Sequence, residues 1–436
     1  MAGQNLSNID KALKEFYLPR LQSTINTNRI LMTRLEREAG KTDASGRRAT
    51  VAVNIQPSQA VGARADEEAL PTAQHQRYTE VQISYKYNYG TIRISHPTIA
   101  ASRNDKGAFV RVVGSEMDGI RRDLKNDVNR QLFGYQQGTI GVLAGAQNTD
   151  NEALVLKDGH QIKVNMVIDM YRTSASDDAN KDLDSLAVSA VSGNTVTIAN
   201  YSQDLSANAY VYREDARNNE MMGLSGIVDD ASKTSGIGAF VTTLHGVVRG
   251  TYPQWNAQVL ENSTANTGRE ITEDLLDTAQ LQVMEQAEGN TSLGITSTTQ
   301  FRKIAHLMTP DRRYSPNNMT LEGGFKAIEW AGTPIVWDRD CPTDVNGNHM
   351  LFLIDESTLA LYQLADWDFD DTDGSILHRR AGYAQYDAQL FYYAQLGCLD
   401  PSNNAVIRDL STCKYLCIRS QGSQGCCSYS KNRHKC

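Results

Sequence analysis

Three short stretches carry residue types that do chemistry in other proteins. Gly40-Lys41-Thr42 ends like the loop that cradles nucleotide phosphates with backbone amides and a lysine. That loop also needs a glycine five residues earlier and a strand before it. Leu35 stands there instead, behind a charged helical segment, so the reading is an exposed helix end leading into a loop. The second stretch, ADWDFDDTDG at 365–374, gathers Asp366, Asp368, Asp370, Asp371 and Asp373. Carboxylates this crowded repel one another unless a cation or a guanidinium neutralises them. Asp368, Asp370, Asp371 and Asp373 are therefore the metal candidates, with Arg379 and Arg380 as rival neutralisers. The stretch lacks the glycine at the sixth position and the glutamate at the twelfth of a calcium-binding loop, and no metal is expected. The third stretch, CKYLCIRSQGSQGCCSYSKNRHKC, holds Cys413, Cys417, Cys426, Cys427 and Cys436. Its C-x3-C-x8-CC-x8-C spacing is not that of a zinc finger, and disulfides are not expected in cytoplasm. It reads as a basic, mobile extension, a fused or read-through addition.

Nothing in the chain supplies a catalytic constellation. There is no G-x-S-x-G elbow, no H-E-x-x-H and no cysteine in a nucleophile signature. The histidines are scattered, and His96 before Pro97 reads as structural. Neither catalysis nor a cofactor is expected.

Composition sets the scale of what must position these residues. A chain of 436 residues suggests two or three domains, each able to bury a core. No apolar run approaches the ~18 residues of a membrane span, so no membrane partner is expected. The first ten residues are polar, which predicts no secretory signal and a cytoplasmic origin. The net charge of −8 is unevenly placed, because residues 11–48 hold more Lys and Arg than acids. An acidic body argues against general nucleic-acid binding, while a basic arm permits phosphate contact on one surface.

The periodicities are more informative. Phe109, Val113, Met117, Ile120, Leu124, Val128 and Leu132 step by three or four, the spacing of one narrow stripe on a helix over about 104–134. At ~1.5 Å per residue such a rod is roughly 45 Å long. Val51, Val53 and Ile55 alternate as a strand, and Val81, Ile83, Tyr85, Tyr87 and Tyr89 share a face before the phase slips at Gly90 and resumes at Ile92 and Ile94. A polar segment joins the two strands, so the pair predicts a long projecting hairpin. An isolated ribbon is marginal in water, and no nearby sequence supplies its support, which leaves a neighbouring subunit. Short β runs between 150 and 215 predict a small all-β insertion. A helix at 272–288 follows, then a second starting at Ser297 with Gln300 completing a capping box, then strands at 334–338 and 349–355. From Tyr383 to Leu396 a strand of roughly 45 Å is predicted, long enough to lie along the rod. The expectation is an elongated α+β domain built from both ends of the chain, with an α/β domain inserted between them.

That order of elements resembles the major capsid proteins of tailed double-stranded DNA bacteriophages, the Hong Kong 97-like fold. It is carried by TVAVNIQPSQAVGARADEEALPTAQHQRYTEVQISYKYNYGTIRIS, SEMDGIRRDLKNDVNRQLFG, TTQFRKIAHLM, WAGTPIVWDRDCP and HRRAGYAQYDAQLFYYAQLGCLDP. The resemblance implies an N-terminal arm at 1–40, an E-loop hairpin at 41–93, and a discontinuous P-domain at 94–138 and 366–411 with its spine helix at 104–134. It further implies an A-domain at 139–365 carrying the β insertion at about 150–220, and leaves the Cys-rich tail at 412–436 outside the pattern. The function implied is structural: self-assembly through pentamers and hexamers into an icosahedral shell around double-stranded DNA, made in the host cytoplasm and found in the virion. The hairpin begins near residue 45, which predicts a separate scaffolding protein; a portal is implied, and a decoration protein is left open. The only lysines of the hairpin, Lys41 and Lys86, are not at its tip, so Lys–Asn cross-linking is not carried over.

On this reading Arg64, Asp66, Glu67, Glu68, Tyr85, Tyr87 and Tyr89 are the intersubunit contacts, and Arg20, Arg29, Arg34 and Arg37 face packaged DNA without reading its sequence. Two other readings stay open: an encapsulin-like compartment shell around protein cargo, and a carbohydrate-active enzyme using the carboxylates at 368–373.

Overall fold

The rod helix and the long strand lie on one another through a third element. A computed structural model describes residues 29–37, 41–43, 46–97, 106–146, 153–172, 181–198, 205–233, 241–262, 267–287, 289–308, 318–320, 326–344, 347–371 and 374–411. The rod spans Lys106–Gln131, and its stripe residues Leu124, Val128 and Leu132 are buried, the last just beyond its end. The long strand, Gln385–Cys398, pairs antiparallel with Lys86–Ser95 on one side and with Leu359–Phe369 on the other. The short strand Lys41–Asp43 joins Leu359–Phe369 in parallel, Lys41 opposite Leu361, so the lysine of the phosphate-loop look-alike is part of a sheet ladder.

The rod covers one face of this sheet. Gly90 marks the closest approach: a Cβ there would sit 2.9 Å from Ile120 Cγ1 on the rod. Around it Ile92, Ile94, Ala388, Leu390 and Tyr392 are buried. Trp367 stacks on Tyr392 at 3.7 Å between ring centroids, and Lys125 of the rod lies 5.1 Å from the Trp367 ring. The slip expected at Gly90 falls earlier, at Tyr85. Burial runs through Val81, Ile83 and Tyr85, then resumes at Asn88, Gly90, Ile92 and Ile94, where the chain leaves one pairing partner for another.

The hairpin strands are Arg48–Gln56 and Arg77–Ser84. The expectation that no part of this chain supports them is corrected at the base. The Gln82 amide donates to the His245 carbonyl at 2.7 Å, and Ile83 packs so close to Gly397 that a Cβ there would lie 2.6 Å from it. Beyond the base, 61–70 and 72–78 are exposed throughout.

Two larger sheets and a two-stranded ribbon, Thr243–Leu244 with Val247–Val248, hold the rest of the described strands. A six-stranded antiparallel sheet draws its strands from 139–142, 153–155, 167–171, 181–192, 195–198 and 210–213, over a core of its own that includes Leu154, Ile168, Met170 and Val211. A seven-stranded mixed sheet has Leu293–Thr296 at its centre, with His349–Ile354 and then Ala405–Leu410 on one side, and is flanked by the helices Glu273–Ala287 and Thr298–Leu307. The segment 366–411, expected to be one domain piece, is therefore shared between two sheets. The capping box at Ser297 does not form. The Ser297 hydroxyl makes no cap bond, and Gln300 Nε2 donates to the Ser411 carbonyl at 2.8 Å. The fold is thus a mixed α/β architecture of several sheets and few helices. Among the described residues no helix is long and apolar enough to cross a membrane.

Buried ion pairs tie the parts together. Arg408 of the strand Ala405–Leu410 donates to Asp229 at 2.9 Å, and Arg249 lies 3.8 Å from the other oxygen of that carboxylate while donating to the carbonyls of Ile227 and Val241. Arg130 of the rod forks onto Glu220 at 2.5 and 3.1 Å and also bonds Asp127, which in turn takes Arg213 at 2.7 Å. Together the arginines hold the Asp127 carboxyl at about 2 despite its burial. Removing one member of such a cluster strands the opposite charge in the interior. Asp229→Ala is expected to cost ~3–5 kcal/mol in denaturant unfolding, with the loss centred on the strand Ala405–Leu410.

Candidate functional site

Alternation fixes what the sheet shows to solvent. Because the rod takes Asn88, Gly90 and Ile92 with their partners Leu390 and Tyr392, the other face must present Tyr87, Tyr89, Phe391 and Tyr393. The four rings form a cluster: Tyr393 sits edge-on to Tyr87 at 5.0 Å and to Tyr89 at 5.6 Å, and tilts against Phe391 at 5.4 Å. Tyr87 and Tyr89 remain 53% and 59% exposed. Burial among the rings pushes the Tyr393 hydroxyl up to about 12, with the neighbouring Tyr89 adding to it. A basic group stands at one margin of the patch. Arg93 bonds Asp387 at 2.9 Å on the same face, while Arg379, paired with Tyr386, falls in the rod-side phase, and the Arg380 guanidinium lies 4.5 Å from the Tyr383 ring beyond the strand's start.

The second surface is the hairpin tip. Val61 and Leu70 are 80% and 85% exposed, the most open of the large apolar side chains described. The tip nevertheless has internal order. Arg64 donates to the carbonyls of Ala69 and Ala63, Glu68 accepts from the Ala65 amide at 3.0 Å, and Glu67 takes a left-handed φ of 63°. Arg64 is thereby part of the turn, while Asp66 and Glu67 project from it.

The expected contact residues are thus split. Arg64, Asp66, Glu67 and Glu68 stand at the tip, and Tyr87 and Tyr89 lie on the sheet face. Tyr85 is corrected: it is 5% exposed, its hydroxyl is buried without a partner among the described residues, and its own chain covers it. Sequence reading missed Val61, Leu70, Phe391 and Tyr393. The signal for the last two was the run LFYY, which puts aromatic rings on both phases of one strand.

The carboxylates at 366–371 do not converge. Asp366 and Asp368 each accept from the next backbone amide, and among the described residues no group of three metal-ligating side chains forms. Asp370 has His378 beside it, with Nε2 3.0 Å from its carbonyl, in place of the expected Arg379 and Arg380. Asp373 and the five tail cysteines lie outside the described residues. Of the arm arginines, Arg34 is bound bidentately to Glu356 at 2.8 and 2.6 Å and is not available to a phosphate. Arg29 is half-buried, and burial lowers its guanidinium below the ordinary value. Arg20 and the side chain of Arg37 lie outside the described residues.

The sheet, rod and projecting hairpin together make a fold of the phage-capsid type. Over 93% of this chain and 99% of the other, the fold aligns with the cyanophage A-1(L) capsid asymmetric unit at a TM-score of 0.59 and 12% identity. The holo-SrpI encapsulin complex from Synechococcus elongatus aligns over 96% and 100% at 0.49 and 10%, and Mycobacterium phage Ogopogo over 94% and 100% at 0.43 and 11%. No curated protein matches the sequence. A family model does: residues 213–409 match the SU10 major capsid protein. That match covers a little under half of the chain, and with the structural alignment it shows a similarity to phage major capsid proteins over 213–409 and a capsid-type fold over the whole.

The tyrosine assignments separate by unfolding measurements on the free subunit. Tyr85→Phe removes a buried, unpartnered hydroxyl and is expected to be neutral or stabilising by up to about 1 kcal/mol. Tyr87→Ser and Tyr89→Ser, on an open face, are expected to stay within about 1 kcal/mol of the parent.

Proposed function

We propose that the hairpin is an E-loop whose tip docks on the aromatic sheet face of an adjacent copy, and that repetition of this contact builds pentamers and hexamers of an icosahedral shell. The observation that carries this reading is the pair of open surfaces with matching chemistry. The tip offers Val61 and Leu70 beside Asp66, Glu67 and Glu68; the face offers four aromatic rings, with Arg93 four residues beyond Tyr89 on the same strand and face. Tyrosine suits such a site, with an apolar ring for the contact and a hydroxyl for the wet rim. The charged margin sets orientation and encounter rate, and the apolar centre supplies most of the affinity.

In this reading the rod is a spine helix, and the sheet of 86–95, 359–369 and 385–398 is the core of a P-domain. The seven-stranded sheet belongs to an A-domain that carries the six-stranded insertion. The shell encloses double-stranded DNA through non-specific contacts, for which Arg20 and Arg37 are the remaining arm candidates. A scaffolding protein and a portal are further partners, assembly takes place in the host cytoplasm, and the subunit performs no catalysis.

Deleting Gln59–Ala73 tests this directly. The truncated subunit is expected to keep the parent's circular dichroism and melting behaviour yet form no closed particles by electron microscopy. Particles indistinguishable from wild type would refute the tip contact, and particles filled with protein in place of DNA would favour a compartment shell.

A further inference from the structure

One edge of the sheet beneath the rod has no neighbour. Among the described residues the strand Lys86–Ser95 pairs with Gln385–Cys398 alone, in a register that runs unbroken from Lys86 opposite Ala394 to Ser95 opposite Gln385. The His96 amide continues that ladder, donating to the Ala384 carbonyl at 2.8 Å. In an antiparallel pair, residues that bond the partner alternate with residues whose amide and carbonyl point the other way. Counting back from His96 by twos, Ile94, Ile92, Gly90 and Asn88 bond the long strand, so Tyr87, Tyr89, Thr91 and Arg93 turn their backbone groups to the open edge. All four are exposed.

Nothing blunts this edge. Sheets protect an open strand with a proline, a bulge or a free charge. Here the strand has no proline and no register shift, and the one charge among the four outward residues, Arg93, is taken by Asp387 of the paired strand. Along its first half the edge borders a cleft of about 900 Å³, whose far wall is formed by 165–167 and 213–216. Consecutive residues of both phases, 84–89, line the near wall, as the edge of a strand does and a single face does not. An unpaired edge with room beside it is a template for one more strand.

We infer that this strand is supplied by a second copy, whose hairpin segment 58–63, SQAVGA, adds to the edge through backbone hydrogen bonds; the inference rests on the tip docking proposed above and names how the docked chain is held. The segment belongs to no strand of its own subunit, and no proline interrupts it, whereas Pro71 breaks the other arm of the hairpin. Its alternation fits the place. The rod lies so close on the near face that a Cβ at Gly90 would sit 2.9 Å from Ile120, so an added strand must turn small residues that way. Ser58, Ala60 and Gly62 share one phase of the segment. Val61 then falls in the opposite phase, on the side of Tyr87 and Tyr89.

Hydrogen exchange read at single residues, on free subunits and on particles of the full-length chain, tests the added strand. In the free subunit the amides of Tyr87, Tyr89, Thr91 and Arg93 should exchange fast and those of Asn88, Gly90, Ile92 and Ile94 slowly. In the particle the first set is expected to slow roughly a hundredfold, together with alternate amides of 58–63. Outward amides that exchange in the particle as they do in the subunit would overturn the inference, and protection there with 58–63 unchanged would overturn the choice of partner segment. Thr91→Pro removes one outward donor and spares the ladder to the long strand, so it should fold and form no particles, while Thr91→Ala keeps them. A Thr91→Pro subunit that folds and assembles would sink the strand addition; the tip contact would still stand if deleting 59–73 blocks assembly, and would fall only if that deletion assembles. Should Thr91→Pro fail to fold, the exchange pattern of the parent decides.

Discussion

A single helix can cover only one face of a sheet, and this molecule is organised around that limit. The rod Lys106–Gln131 is drawn tightly onto the strands Lys86–Ser95 and Gln385–Cys398, close enough at Gly90 that no side chain fits between. Ile92, Ile94, Ala388, Leu390 and Tyr392 on the near face are buried. The far face of the same strands must show Tyr87, Tyr89, Phe391 and Tyr393 to solvent. A molecule built this way leaves that face uncovered among the described residues.

The incompleteness is confined to a few places. The base of the hairpin is satisfied by its own chain, through Ile83 against the long strand and Gln82 against the turn at His245. Only the distal part is unsupported, so a contact made there can change without disturbing the core. Rigidity comes from elsewhere. The clusters of Asp229 with Arg249 and Arg408, and of Arg130 with Asp127 and Glu220, join segments that share no strand pairing. Fully partnered buried charges add little net stability over an apolar core, but their directional bonds fix one arrangement of the parts.

Much of this architecture could be read from the sequence, for a physical reason. The rod and the long strand announce themselves through local periodicity, since each buries one face along its length. The hairpin was readable as two alternating strands, but its slip was misplaced: tyrosines occupy both phases around residues 85–89, so the pattern of side-chain types does not show which phase is buried. The capping box at Ser297 failed because Gln300 found a better acceptor at Ser411, more than a hundred residues away. The ion pairs were invisible for the same reason, as in Arg34 with Glu356, where nothing local marks either residue as buried. At the site itself, the tip charges and two of the three expected tyrosines lie on open surfaces, whereas the apolar half, Val61 and Leu70, passed for ordinary loop residues in a polar stretch.

The central claim is that the tip and the aromatic face are two halves of one contact between copies. Hydroxyl-radical footprinting of free subunits and assembled particles, read at Leu70, Tyr87, Tyr89 and Tyr393, measures this directly. The account predicts that all four are modified in the subunit and protected together in the particle. Particles in which the tyrosines stay as reactive as in the free chain would contradict it.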